Sequence, residues 1–311
     1  MTRRTRSKTL RSFLALAVVG LMMLSACSSD SSSDGASDGG GGATSETIHV
    51  GSQKFSESRT LAEVYAQYLK AKGFDTKVEA PIATRTLLLA AMKKGTVDLE
   101  LDYTGSLVTE LGGTATADAD ETYRALAGLL GPEGLVASAR SEAANANALV
   151  ALTSWAKENH VTKISDLKDL DGPLTLGGAP ECAEREDCLA GYNGPKYDLG
   201  LKFVTVAYGP ALVSALQSND IDVAQYGSTA PELAEGTIVI LEDDKGLQSA
   251  QNVVPVMRKK VASKELTAAL DELSRQITTA DLAAWNLATD GKAKEDPADV
   301  AEAWLEKKGL I

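Results

Sequence analysis

The chain predicts a two-lobed α/β protein whose halves face each other across a cleft. Three observations lead there. A helix-turn-strand unit occurs twice: residues 91–99, running on to Asp102-Tyr103-Thr104-Gly105-Ser106, and residues 215–223, running on to Gln225-Tyr226-Gly227-Ser228-Thr229. Aligned on Asp98 and Asp222, the copies match without a gap. Strand and helix patterns alternate along most of the chain. Roughly 265 residues follow the amino-terminal segments, which suits two lobes better than one small domain.

Each copy of the unit reads as an amphipathic helix ended by Gly95 or Asn219, residues that tolerate a left-handed C-cap. A short apolar strand follows, then a polar loop with a Tyr and small hydroxyl residues. Open α/β sheets place ligand groups on loops leaving the carboxyl ends of strands, so each half is expected to offer one such loop to the cleft.

Taken in order, residues 48–52 form an opening strand. Ser56 or Glu57 starts a helix whose apolar positions Leu61, Val64, Tyr65, Tyr68 and Leu69 share one face, and Gly73 stops it. A strand over 74–80, the loop 81–85, a helix over 86–94 and a strand from Val97 complete a β-α-β-α-β run. Helical stretches are expected at 120–130 and 141–144. Residues 147–152 read as an extended crossover into a second α/β pattern. That pattern has helical stretches at 155–159 and 164–170, strands at 174–177 and 202–206, a helix at 211–217 and strands at 221–224 and 237–241. Residues 252–258 read as a second crossover, and helices are expected at 263–278, 279–289 and 297–307. Lobe 1 thus takes residues 46–148 and 253–311, with lobe 2 inserted as 149–252. Two crossover strands make a natural hinge.

Residues 1–26 read as an export signal. Arg3, Arg4, Arg6, Lys8 and Arg11 form a basic region, and the apolar run 13–24 is short for a membrane span. The run ends in Leu24-Ser25-Ala26-Cys27, which resembles a bacterial lipobox; that resemblance implies cleavage before Cys27 and lipid on its thiol and new amino group. The alternative is an ordinary secretory signal with an incidental Cys. Residues 27–45 are mostly Ser, Gly, Asp and Ala and read as a flexible tether. The precursor carries a net charge of −12, and removing the signal makes it more acidic. That argues against a nucleic-acid partner and fits a body held off an anionic membrane.

Cys182 and Cys188 remain, six apart. Outside the cytoplasm two nearby Cys pair as a disulfide more readily than they stay free. A zinc site would want more Cys or His nearby, and the mature chain has only His49 and His160.

The chain resembles a family: the substrate-binding proteins of bacterial ABC importers for quaternary ammonium compounds such as glycine betaine, choline and carnitine. Gly51-Ser52-Gln53-Lys54-Phe55-Ser56-Glu57 is similar to the family's opening motif. Thr84-Arg85, Gly95-Thr96-Val97-Asp98 and Asp102-Tyr103-Thr104-Gly105 look like its strand-loop signature. Ile164-Ser165-Asp166-Leu167, Gly177-Gly178-Ala179-Pro180-Glu181-Cys182, Arg185, residues 239–244 and residues 252–258 follow in the family's order. Val300-Ala301, Trp304-Leu305 and Gly309-Leu310 look like its last helix. The resemblance spans about residues 46–310 and implies a type II periplasmic-binding-protein-like fold, no cofactor, and partnership with an ABC permease and ATPase at the outer face of the cell membrane.

It also implies a site that holds a cationic head by aromatic faces and a carboxylate end by polar or basic groups. Tyr103 takes the family's Tyr position, with core packing as its alternative. Tyr208 and Tyr226 are second-lobe ring candidates, and Phe55 is expected in the core. The polar candidates are Lys54, Ser56, Arg85, Arg185, Gln225, Ser228, Thr229, Gln251 and Asn252. Arg85 and Arg185 could each grip a ligand carboxylate bidentately, or pair with a neighbour such as Glu57 or Glu181. The chain departs from the family pattern at Glu100, Leu101, Ala230 and Gln251, which leaves open a different solute such as an amino acid or polyamine. The competing class is a two-lobed sensor or enzyme without a transport role. Against the enzyme, the sequence has no P-loop, no nucleophile elbow, and no His beside a plausible nucleophile.

Overall fold

The computed structural model describes residues 46–311; the signal segment, the tether and Cys27 lie outside the described residues. The first lobe begins with β1 (Ile48–Gly51), α1 (Ser56–Ala71), β2 (Thr76–Val78), α2 (Arg85–Lys94), β3 (Leu99–Tyr103), α3 (Thr104–Glu110), α4 (Ala119–Leu130) and β4 (Leu135–Ala137). The chain then builds the second lobe: β5 (Asn147–Leu152), α5 (Thr153–Glu158), β6 (Thr175–Gly178), α6 (Leu189–Asn193), β7 (Lys202–Thr205), α7 (Pro210–Gln217), β8 (Val223–Gly227), α8 (Pro231–Ala234) and β9 (Ile238–Ile240). It returns as β10 (Val253–Arg258), α9 (Lys264–Ser274), α10 (Thr279–Asp290) and α11 (Pro297–Lys308).

Each lobe is a five-stranded mixed sheet, ordered β2-β1-β3-β10-β4 in the first and β7-β6-β8-β5-β9 in the second. The two orders superpose strand for strand. In both, the first three strands in that order run parallel and the fourth, the strand linked to the other lobe, joins antiparallel. The repeated unit has the same job in both places. Gly95 and Asn219 adopt positive φ where their helices end. The Asp98 carboxylate accepts from the His49 backbone N–H at 3.1 Å, and the Asp222 carboxylate accepts from that of Thr175 at 2.7 Å. Each aspartate thus ties the start of its strand to the neighbouring parallel strand, which sets the register.

Helices cover both faces of each sheet. Leu61, Val64, Tyr65, Tyr68 and Leu69 of α1 are fully buried against β1, β3 and the carboxyl-terminal helices. Trp285 of α10 meets Trp304 of α11 edge-on with ring centroids 5.2 Å apart. The opposite face is filled by Leu88, Leu89 and Met92 of α2 with Leu107, Val108, Leu126 and Leu130. In the second lobe Cys182 and Cys188 are bonded and buried beside Tyr192 and Tyr197.

Several expectations are refined. Residues 147–152 and 252–258, read as crossovers, are instead ladder strands of a sheet, the second from Val253 on. The links between sheets are the irregular segments 138–146 and 241–252, which touch through an antiparallel bridge between Ala144 and Asn252. Residues 141–144 are not helical, because they belong to this link. The loop expected after Tyr103 is instead helix α3, and the short strand β4 was not legible as one.

Candidate functional site

A cleft of about 760 Å³ lies between the lobes. The first lobe lines it with residues 55–57 at the start of α1 and with the end of α10 and the turn after it; the second contributes Tyr208, Tyr226 and the start of α8. The start of α1 is placed by the backbone of Phe55, which is extended as the N-cap and leaves its ring 42% exposed to the cleft. The expectation of Phe55 in the core is therefore corrected.

Glu57 forms the floor. It sits in the first turn of α1, where the positive end of the helix favours a carboxylate, and is only 3% exposed. Asn145 donates to its Oε1 at 2.8 Å, and Asn286 to its Oε2 at 2.6 Å. The Tyr103 hydroxyl also donates to Oε1. These hydrogen bonds satisfy a buried charge that would otherwise be costly. Burial first, and the Glu57 charge second, push the Tyr103 hydroxyl well above the ordinary phenol range, so it stays a donor.

The second lobe supplies the aromatic wall. The Tyr208 and Tyr226 rings lie 5.0 Å apart at 39°. Tyr208 is 64% exposed and flanks the start of α7; Tyr226 is buried at the end of β8 and donates to Glu232 at 3.2 Å. The Tyr208 hydroxyl lies over Gly227, 2.9 Å from where a Cβ added there would sit.

Of the residues expected in the site, Ser56, Tyr208, Tyr226 and Thr229 line this cleft. Tyr103 does not; its ring stacks beneath Phe55 at 6.4 Å, and its hydroxyl donates to Glu57. Arg85 is closed off from a ligand, because its Nε and Nη2 grip both oxygens of buried Asp102 at 2.7 and 2.8 Å. Arg185 is likewise forked onto Asp187, at 2.8 and 2.5 Å. Both arginines take the ion-pair alternative, with Asp partners rather than Glu57 or Glu181. Gln225 accepts from the Tyr192 hydroxyl at 2.8 Å inside the second lobe. Ser228, Gln251 and Asn252 instead line a second cavity of about 450 Å³ beside the connecting segments. There Asn252 donates to the Ser141 carbonyl at 3.0 Å, and Gln251 accepts from the Ser106 backbone N–H at 2.9 Å. Lys54 is exposed and lines neither cavity.

Glu57, Asn145, Asn286, Glu232 and Asp290 escaped sequence reasoning as site residues. Glu57 carried a usable signal, as the one acid in the opening motif and at a helix start. Asn145 and Asn286 carried none, lying 88 and 229 positions from the carboxylate they meet.

Comparison with known proteins agrees with this architecture. Residues 46–307 match the family described as the substrate binding domain of the ABC-type glycine betaine transport system. The chain is 28% identical to a glycine-betaine-binding protein of Pseudomonas aeruginosa over 87% of its own length and 91% of the relative's. It is 25% identical to the carnitine transport binding protein OpuCC of Listeria monocytogenes over 98% of each chain. Its fold superposes on apo YehZ from Escherichia coli with a TM-score of 0.74 at 21% identity, covering 86% of this chain and 100% of that one. The chain belongs to the family of substrate-binding domains of ABC-type glycine betaine transport systems.

Proposed function

We propose that this protein is the extracytoplasmic receptor of an ABC importer, anchored by lipid on Cys27 at the outer face of the membrane. It takes a quaternary ammonium osmoprotectant into the cleft and presents it to a permease and its ATPase by closing the lobes. The observation that carries this reading is the pairing of the Tyr208 and Tyr226 rings with the buried Glu57 carboxylate across one interlobe cleft. Ring faces attract a desolvated cation, by about 2 kcal/mol or more for a well-placed ring. A fixed carboxylate adds a counter-charge. Names of relatives add support: glycine betaine and carnitine are the solutes of the two similar binding proteins. Closure requires that the solute favour the closed arrangement, and a solute touching both lobes does so. The acid-rich lining also fits a polyamine, the second reading, through Glu57, Glu232, Glu235 and Asp290.

A thermal-shift screen of the mature chain tests the proposal, using betaine, carnitine, choline, amino acids and polyamines. A bound solute at a hundred times its dissociation constant adds about 2.7 kcal/mol of stability. If only a polyamine moves the midpoint, the second reading replaces the first; if nothing does, the receptor reading fails.

A further inference from the structure

We infer that the cavity beside the connecting segments is the clearance into which the lobes swing when the cleft opens, and that the small side chains lining it set solute affinity. This rests on the receptor reading, which requires closure, and names the device that tunes it.

Hydrogen bonds place the pivot. In the first connecting segment the Ala144 N–H donates to the Thr279 hydroxyl at 3.1 Å and Asn145 donates to Glu57 at 2.8 Å, both in the first lobe. The next two residues belong to the second lobe: the Ala146 N–H donates to the Ser228 hydroxyl at 2.9 Å, and Asn147 to the Asp187 carboxylate at 2.9 Å. In the return segment Gln248 donates to the Asp187 carbonyl at 2.8 Å, whereas the Ala250 N–H donates to the first-lobe Thr116 carbonyl at 2.8 Å. Rotation therefore concentrates at the 145–146 link and at Ser249. The two pivots adjoin, since the Asn145 N–H donates to the Gln251 carbonyl at 3.1 Å. The Ser228 hydroxyl pins the first of them from the second lobe, donating to the Ala144 carbonyl at 3.2 Å.

The two cavities lie on either side of this pivot. Asn145 and Thr229 line the cleft, while their neighbours Ala144, Ala146 and Ser228 line the other cavity. On the cleft side the lobes touch, through Asn286 and the Thr229 carbonyl at 2.8 Å. On the other side a space of about 450 Å³ separates Ala117 and Ala119 of the first lobe from Ile240 and Gly246 of the second. A rotation that parts Asn286 from Thr229 drives these surfaces together. Six alanines in the lining leave the space open, and Ile240 beside them gives it an apolar wall that loses water when the gap shuts. The rim is already near contact: a Cβ on Gly246 would sit 3.0 Å from that of Ala117. The solute-free chain thus divides between an arrangement touching at the cleft and one touching behind the pivot. Observed affinity scales with the share of the first. A bulkier side chain in the clearance obstructs only the second.

Ala117→Phe and Ala119→Leu add volume there, on the first-lobe rim and outside the cleft lining. Calorimetric titration of the mature chain with glycine betaine and with choline is expected to show about threefold or more tighter binding in each variant. The factor is expected to be the same for both solutes, because the added bulk acts on closing and not on the cleft. Small-angle scattering is expected to give the solute-free variants a smaller radius of gyration than the parent. Two variants guard against one misfolding, which a melting curve reports. Unchanged or weaker affinity in the folded variants, or a factor that differs between the solutes, overturns the inference and leaves the receptor reading standing. If neither solute nor carnitine binds the parent, the receptor reading fails and the radius decides alone: a smaller value supports the clearance, and an equal one overturns it.

Discussion

Asn286, in α10 of the first lobe, donates to the Thr229 carbonyl oxygen of the second lobe at 2.8 Å and to the Glu57 carboxylate at 2.6 Å. One amide therefore joins the floor of the cleft to the opposite wall. Helix α10 packs on α8 around it, so the interlobe contact is local and polar at its centre. Asn286→Ala deletes the bridge and leaves Glu57 short of a donor. The expected result is a cost of about 1–3 kcal/mol, shared between folding stability and solute affinity. Small-angle scattering should also show a larger radius of gyration in the solute-free variant. Unchanged affinity, stability and radius together would show that the lobes meet for other reasons.

Tyr226 and Tyr208 provide the ring faces. Phe in place of either keeps the face, and affinity should change little. Tyr208→Ala removes an exposed ring at little cost to folding, and affinity should fall by about 1–3 kcal/mol, roughly ten- to a hundredfold. Tyr226→Ala should show a similar loss together with reduced stability, since that ring is buried. Titration calorimetry paired with a melting curve separates the two effects. Full affinity in a folded Tyr208→Ala protein would take that ring out of the site.

Glu100 lies fully buried on β3, and neither of its oxygens has a hydrogen-bond partner. The neighbouring Arg85 is engaged by Asp102. Burial first, and the Asp102 charge second, push the Glu100 carboxyl well above the usual carboxylate range. The folded chain then keeps a proton that the unfolded chain releases above about pH 4.3. Between that value and the raised native one, the folded state binds more protons, so this group makes stability fall as pH rises. Glu100→Gln abolishes the titration. Its stability relative to the parent should climb as pH increases through this window, whatever constant offset packing adds. Denaturant unfolding at several pH values reads the difference, and parallel pH profiles would contradict it.

The Cys182–Cys188 bond closes a short loop in the second-lobe core. A loop of this size is worth about 2 kcal/mol through the unfolded state. The double substitution to Ala should lower the unfolding midpoint accordingly while leaving two folded lobes. Intact-mass analysis after alkylation should find no free thiol before reduction in the parent. Two alkylatable thiols would reject the bond.

Much of the architecture was legible because it repeats. The helix stop at Gly95 or Asn219 and the aspartate three residues later recur in sequence, and in the fold each aspartate ties a strand start to its parallel neighbour. The site was less legible. Tyr103 and Tyr226 look like partners in the two copies, but aligned on Asp98 and Asp222 they are one position out of step. Successive strand residues face opposite sides of a sheet, so Tyr103 joins the α1 face and Tyr226 the α7 face. Arg85 and Arg185 have the same residue type whether they hold a ligand or an aspartate, and only geometry chooses. Glu57, Asn145 and Asn286 assemble from three distant segments, which no local pattern reports.

The measurement that bears most directly on the central claim is a crystal structure of the mature chain with a bound quaternary ammonium solute. The expected density lies in the interlobe cleft, with the ammonium nitrogen within about 6 Å of the Tyr208 or Tyr226 ring centroid and Asn286 still bridging Glu57 and Thr229. A solute found in the cavity beside Gln251 and Asn252, or one whose cationic head points away from both rings, would contradict the account.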